Sequence, residues 1–252
     1  MNFAKIKIRQ GRPRSAAAIT VLMLILASIA AVSGQVSKRI EIENDGWKLF
    51  GDLVVPQNAK SVPAVLLLHK ADGSRAEYKE LAGILASNGI ASLRLDLRGH
   101  GESKNKGEFG PPYDEKTRSI LVGTDSDISA ALRYLKKQSG IHPKRIGVLG
   151  ASYSGEFMAL AGRESGYEKA YVELSPGSFS EASIKEIDRS GAAWLFVRSV
   201  GEPHLKGLHE NIREVSKTAQ LYEVPGNEHA SRLLSAIPGL KEMIVVWFKH
   251  NL

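Results

Sequence analysis

A serine held between small residues, where an apolar run meets a helical pattern, is equipped for nucleophilic attack. Gly150-Ala151-Ser152-Tyr153-Ser154-Gly155 places Ser152 in that position. The backbone of such a turn is crowded and strained, so the residues two before and two after the serine must be small. Gly150 and Ser154 meet that need. Taking Ser154 as the nucleophile instead would put Glu156 in the crowded place, which favours Ser152. A helix that starts directly after the serine aims backbone N–H groups at developing negative charge, and the amide of Tyr153 is the first expected oxyanion donor. A Gly-rich turn of this kind also serves close packing or phosphate binding, so the serine needs partners before it means catalysis.

A serine hydroxyl is a weak nucleophile until a neutral imidazole takes its proton and a carboxylate orients that imidazole. On an open α/β sheet the three follow in the order serine, acid, histidine, at the ends of strands. His229, in Val224-Pro225-Gly226-Asn227-Glu228-His229, lies just past the last apolar run, and Glu202 lies just past the run before it. Glu186, Asp188 and Glu228 compete for the role of acid. The second oxyanion amide is expected in His69-Lys70-Ala71-Asp72-Gly73, from Lys70 or Ala71. The Lys70 side chain reads either as a solvated loop charge or as a cation near the substrate. His69 and His100 read as loop-shaping residues, and Asp96 with Arg98 as a pair that pins their loop.

The elements that must position these groups are legible in outline. Residues 36–42 and 49–55 flank Asp45-Gly46 as an antiparallel hairpin. Short continuous apolar runs follow at 64–68, 90–95, 145–149, 170–174, 192–200 and 219–224, the texture of strands covered by helices on both faces. Helical patterns at 75–87, 124–138, 154–164, 181–189, 209–217 and 240–250 alternate with them, which predicts a doubly wound, mostly parallel α/β sheet. Residues 104–118 read as a surface loop beside the site. The stretch 177–191 is too short for a large lid and leaves at most a small helical flap at 181–189.

The first 34 of the 252 residues differ in kind: Lys5, Lys7, Arg9, Arg12 and Arg14 precede an apolar run over 16–32. Basic head, apolar middle and small-residue exit make a signal peptide over 1–34 and a catalytic domain over 35–252, with cleavage after Ser33 or a neighbouring bond. The alternative is an uncleaved membrane anchor, the only membrane contact expected. Subtracting the five basic residues of the head from the chain's 34 leaves 29 against 27 acidic ones, a net of +2, so the basic balance gives no argument for nucleic-acid binding. With no cysteine there is no disulfide and no thiolate chemistry, and no metal-ligand spacing or cofactor signature is present. An exported chain of this kind suits a periplasm or the exterior.

The hairpin at Asp45-Gly46, the His69 loop, the run Leu95-Asp96-Leu97-Arg98-Gly99-His100-Gly101-Glu102-Ser103, the Ser152 turn and His229, in that order, resemble the α/β-hydrolase superfamily. The likeness is strongest to its bacterial esterase, dienelactone-hydrolase-like and aminopeptidase-like members, and runs from about Ile40 onward. It implies a Ser152–Glu202–His229 triad and an acyl-enzyme mechanism on a small ester or acyl substrate. A peptidase or thioesterase would use the same groups, and a non-catalytic envelope binding protein would keep the fold without turnover. The sequence departs from the family at Lys70 and at Ser154, where relatives commonly carry glycine.

Overall fold

The computed structural model describes residues 34–177, 179–202, 216 and 218–252. The expected signal segment, apart from Gly34, and the expected helix at 209–217, apart from Ser216, lie outside the described residues.

Asp45 and Gly46 both take positive φ (+48° and +73°), the two-residue turn whose twist matches paired strands. They join β1 (Gln35–Asn44) to β2 (Trp47–Pro56) as an antiparallel hairpin in which Asn44 faces Trp47. The remaining strands are β3 (Val62–Leu68), β4 (Ala91–Leu95), β5 (Ile141–Ala151), β6 (Ala170–Leu174), β7 (Ala193–Ser199) and β8 (Ala219–Val224). They form one eight-stranded sheet in the order β1-β2-β4-β3-β5-β6-β7-β8. β2 pairs antiparallel with β4, and every pairing from β4 onward is parallel. This is the α/β-hydrolase fold: a doubly wound, mostly parallel sheet with an antiparallel hairpin at its edge.

Strand periodicity explains why the runs look continuously apolar. Along β3, Ala64, Leu66 and Leu68 join the core on one face of the sheet, while Val65 and Leu67 join that on the other. The first face is covered by α3 (Thr124–Lys136), α4 (Ser154–Ser165) and α5 (Glu181–Ser190), through Ile128, Leu132, Leu135, Met158 and Ile187. The second is covered by α1 (Lys79–Ser87) and the C-terminal helix Leu240–Asn251, through Leu81, Leu85, Ile244 and Phe248. Burying a side chain of this size contributes about 1.5–3 kcal/mol, which is why both faces attract helices.

Three expectations change in detail. The helix expected at 75–87 opens as a 3₁₀ turn, Arg75–Tyr78, capped by Ser74. The loop expected at 104–118 runs into α2 (Glu115–Ser119), because the Asp114 carboxylate accepts the Thr117 N–H at 2.9 Å and starts a helix there. The flap expected at 181–189 is α5, which is docked. Its Glu186 accepts from Arg163 at 2.8 Å and from Arg189 at 2.9 Å, and its Ser183 Oγ donates to Glu156 of α4 at 2.7 Å. Among the described residues, nothing larger lies between β6 and β7.

Candidate active site

β5 ends at Ala151 and α4 begins at Ser154, so two residues must reverse the chain. Ser152 does so at φ +57°, a conformation that costs a side-chain-bearing residue of order 1 kcal/mol and is kept only where its surroundings enforce it. They do so through three backbone bonds: Ser152 N–H to Leu174 O at 3.0 Å, and Gly155 and Gly177 N–H to Ser152 O at 3.2 and 3.3 Å. The end of β6 and the loop after it thus hold the turn open. Ser154, the departure from glycine, is accommodated by its hydroxyl. Its Oγ accepts the Ala151 N–H at 2.7 Å and lies 3.0 Å from Ala151 O and 3.3 Å from Leu68 O, tying β3 to the turn.

The side chain of His229 reaches across from the loop after β8. Its Nε2 lies 3.0 Å from Ser152 Oγ and its Nδ1 lies 2.6 Å from Glu202 Oε1. A carboxylate at Nδ1 keeps the ring proton there and turns the Nε2 lone pair toward the serine hydroxyl. Glu202 is buried, and its second oxygen accepts from Ser175 Oγ at 2.8 Å and from the Ser199 N–H at 3.0 Å. Of the carboxylates considered for this place, Glu202 is the one brought to His229, and Glu186 is spent on α4 and α5 instead. No expectation from the sequence covers Ser175 and Ser199. Ser199 also donates to Glu228 O at 2.7 Å and so fixes the residue before the histidine. Their one sequence signal is position, each standing at or just past a strand end.

Among the described residues, no backbone hydrogen bond outside the regular elements uses the N–H of Tyr153, Lys70 or Ala71 as donor, so all three amides remain available. The Lys70 side chain corrects both readings of it. It is buried and paired with Asp72 and, at 3.3 Å, with Glu77, so it is neither solvated nor aimed as a free charge at a substrate. His69 donates from Nδ1 to Lys70 O at 2.7 Å and accepts the Leu97 N–H at 3.0 Å. Burial, reinforced by nearby His100, lowers its pKa to about 3, so it stays neutral and shapes the loop. His100 lies between two carbonyl oxygens, its Nδ1 2.8 Å from Arg98 O and its Nε2 2.6 Å from Ala71 O.

Asp96 and Arg98 do not pair with each other. Asp96, fully buried at the end of β4, accepts from the Arg75 guanidinium, the Arg75 N–H (2.7 Å) and the Glu102 N–H (3.0 Å). Arg98 turns the other way and grips Asp127 of α3 through two bonds of 2.5 and 2.6 Å. Both still pin the loop, but each to a partner from another element.

Glu173 of β6 lies beneath the turn, with no exposed surface. Its carboxyl fills the space where a Cβ on Gly150 or Gly155 would stand, at 2.6 and 2.4 Å, which is why both positions are glycine. Among the described residues neither oxygen has a hydrogen-bond partner, and the nearby Ser152 N–H is committed to Leu174 O. Burial therefore pushes its pKa well up and keeps it protonated. An unfolded glutamate ionises above about pH 4.3, and each further pH unit until the folded group titrates costs about 1.4 kcal/mol of stability. Because the folded pKa is raised, this contribution is intact below the unfolded value and lost as pH rises. Glu173→Met is accordingly expected to stabilise the protein at pH 8, with the gain vanishing toward pH 4. Urea unfolding at the two pH values measures it, and equal gains at both would refute the account.

Among the described residues no group of three or more His, Asp or Glu side chains could hold a metal ion. What the arrangement can do is activate a hydroxyl beside free backbone donors. Residues 50–233 match the model of a family described as the dienelactone hydrolase family. An uncharacterised protein of Mycobacterium tuberculosis is 28% identical over 209 residues, covering 80% of this chain and 67% of its own. Among solved structures, a dienelactone hydrolase from Anabaena variabilis superposes with a TM-score of 0.66 at 20% identity, covering 86% of this chain and 99% of that one. A Pyrococcus furiosus esterase superposes at 0.67 and 18% identity, covering 86% and 91%.

Proposed function

This chain belongs to the dienelactone hydrolase family and is a hydrolase, and from that premise we propose that it cleaves a carboxylic ester through an acyl-enzyme formed on Ser152. Ser152 Oγ attacks the ester carbonyl carbon while its proton passes to His229 Nε2. Glu202 stabilises the resulting imidazolium. The amide of Tyr153 and that of Lys70 or Ala71 take up the charge on the carbonyl oxygen. As the tetrahedral adduct collapses, His229 returns the proton to the departing alcohol, and a water activated by the same nitrogen then releases the acid. The observation that carries this reading is the row Ser152 Oγ–His229 Nε2 and His229 Nδ1–Glu202 Oε1, at 3.0 and 2.6 Å, built on a serine at φ +57°.

The proposal extends to place: residues 1–34 act as an export signal, and the domain over 35–252 works in a periplasm or outside the cell. A fluorophosphonate probe tests the chemistry without knowledge of the substrate. The intact protein is expected to take up one equivalent, with the adduct located on Ser152 by peptide mass spectrometry and absent from His229→Ala. Intact wild-type protein that leaves Ser152 unlabelled would sink the proposal.

A further inference from the structure

Tyr153, directly after the serine, begins a row of rings that leads away from the site. Its ring stacks on His100 with centroids 5.9 Å apart, His100 meets Phe109 at 5.2 Å, and Phe109 meets Tyr113 at 5.5 Å. The far rings border a cleft of about 270 Å³ whose opposite wall is Ala71-Asp72-Gly73, the loop that holds an expected oxyanion amide. The cleft therefore adjoins the place where a scissile carbonyl would sit. His100 Nε2 ties the two walls together through Ala71 O at 2.6 Å.

The lining sets these rings beside the charged side chains of Asp72, Lys104 and Glu108, and of its glycines Gly110 is the one whose Cβ would meet no protein atom within 4 Å. The Phe109 N–H donates to Gly99 O at 2.9 Å and sets that ring against the glycine turn. Tyr113 is 49% exposed, and among the described residues its ring contact is with Phe109. Ring faces and edges attract other rings more strongly than they attract alkyl groups of equal area.

We propose that the cleft beside Ala71, bordered by His100, Phe109 and Tyr113, is a substrate subsite for a planar aromatic group, so that the ester carries an aryl acid or an aryl alcohol. The inference rests on the esterase reading and names the substrate class of that same site. The full-length Ser152→Ala protein binds an ester without cleaving it, so binding can be measured apart from turnover. Titration calorimetry with ethyl benzoate, phenyl acetate and ethyl cyclohexanecarboxylate is expected to show at least one aryl ester binding about fivefold to tenfold tighter than the saturated ring. Whether benzoate or phenyl acetate gains tells which side of the ester enters the cleft.

Two further changes, each in the Ser152→Ala background, test the location. Tyr113→Ala removes an exposed wall. Gly110→Leu projects into space empty of protein at a φ any residue adopts, so neither should disturb folding. Both are expected to abolish the aryl preference. No preference in the parent, or a preference that survives both changes, overturns the subsite. Turnover of ethyl acetate by wild-type protein reports the esterase reading separately: turnover without aryl preference removes the subsite alone, and aryl binding without turnover removes the esterase alone.

Discussion

Ser152→Ala is expected to lower kcat/KM toward a simple ester by roughly 10⁴- to 10⁶-fold, since the histidine and acid have nothing to activate once the hydroxyl is gone. The residual rate should come from the free amides of Tyr153 and the Lys70–Ala71 loop, which still stabilise an oxyanion formed by water attack. The same position offers a stability readout that separates catalytic from structural roles. Serine and alanine both carry a Cβ at φ +57°, whereas glycine adopts that conformation without penalty. Ser152→Gly should therefore be as inactive as Ser152→Ala and more stable by about 1 kcal/mol in urea unfolding. Equal stability would mean that the turn is not strained; substantial activity in either variant would mean that Ser152 is not the nucleophile.

The parts of this site legible in the sequence are those set by local rules. The turn at Ser152 follows from the small residues around it, and Glu202 and His229 follow from strand ends, because a parallel sheet displays what its strands deliver at their C-terminal edge. What could not be read depends on which elements meet. Arg98 lies two residues from Asp96, and proximity in the chain suggested a pair. Yet the strand end directs Asp96 toward Arg75 and the following turn directs Arg98 toward Asp127, 29 residues on. Lys70 looked solvated because lysine usually is, until Asp72 and Glu77 are seen to enclose it. Glu173 was hidden for a different reason. In a strand buried on both faces there is no alternation to break, so one carboxyl among apolar neighbours carries no sign of what it lies beneath. Ser175 and Ser199 make the same point at the acid: the position of Glu202 was legible, but the two groups that hold its second oxygen come from two strands.

The Arg98–Asp127 pair supports a second large effect, on stability. Both side chains are buried, Asp127 completely, and the carboxylate takes two guanidinium bonds plus one from Asn44 at 2.9 Å. Among the described residues, Asp127→Ala would leave the guanidinium of Arg98 buried with Val122 O and, at 3.9 Å, the largely exposed Asp45 carboxylate, and is expected to cost about 3–5 kcal/mol. In a domain of this size that corresponds to a fall in Tm of roughly 10 °C. The attraction within the pair is not the source of so large a number. Burial raises the Asp127 pKa even against the pull of Arg98, so desolvation of the carboxylate outweighs what its partner returns. It follows that removing both charges should cost far less than removing one. Arg98→Met combined with Asp127→Leu is expected to recover most of the stability lost by Asp127→Ala, because no charge is left stranded. The loop should nevertheless suffer, since the Arg98 guanidinium is the strut that anchors to α3 the turn carrying His100. A double variant as stable as wild type but weaker in turnover of an ester would show that the pair is kept for positioning the oxyanion loop. Additive losses in the unfolding cycle would show instead that the two charges act independently, and the strut would have to be sought elsewhere.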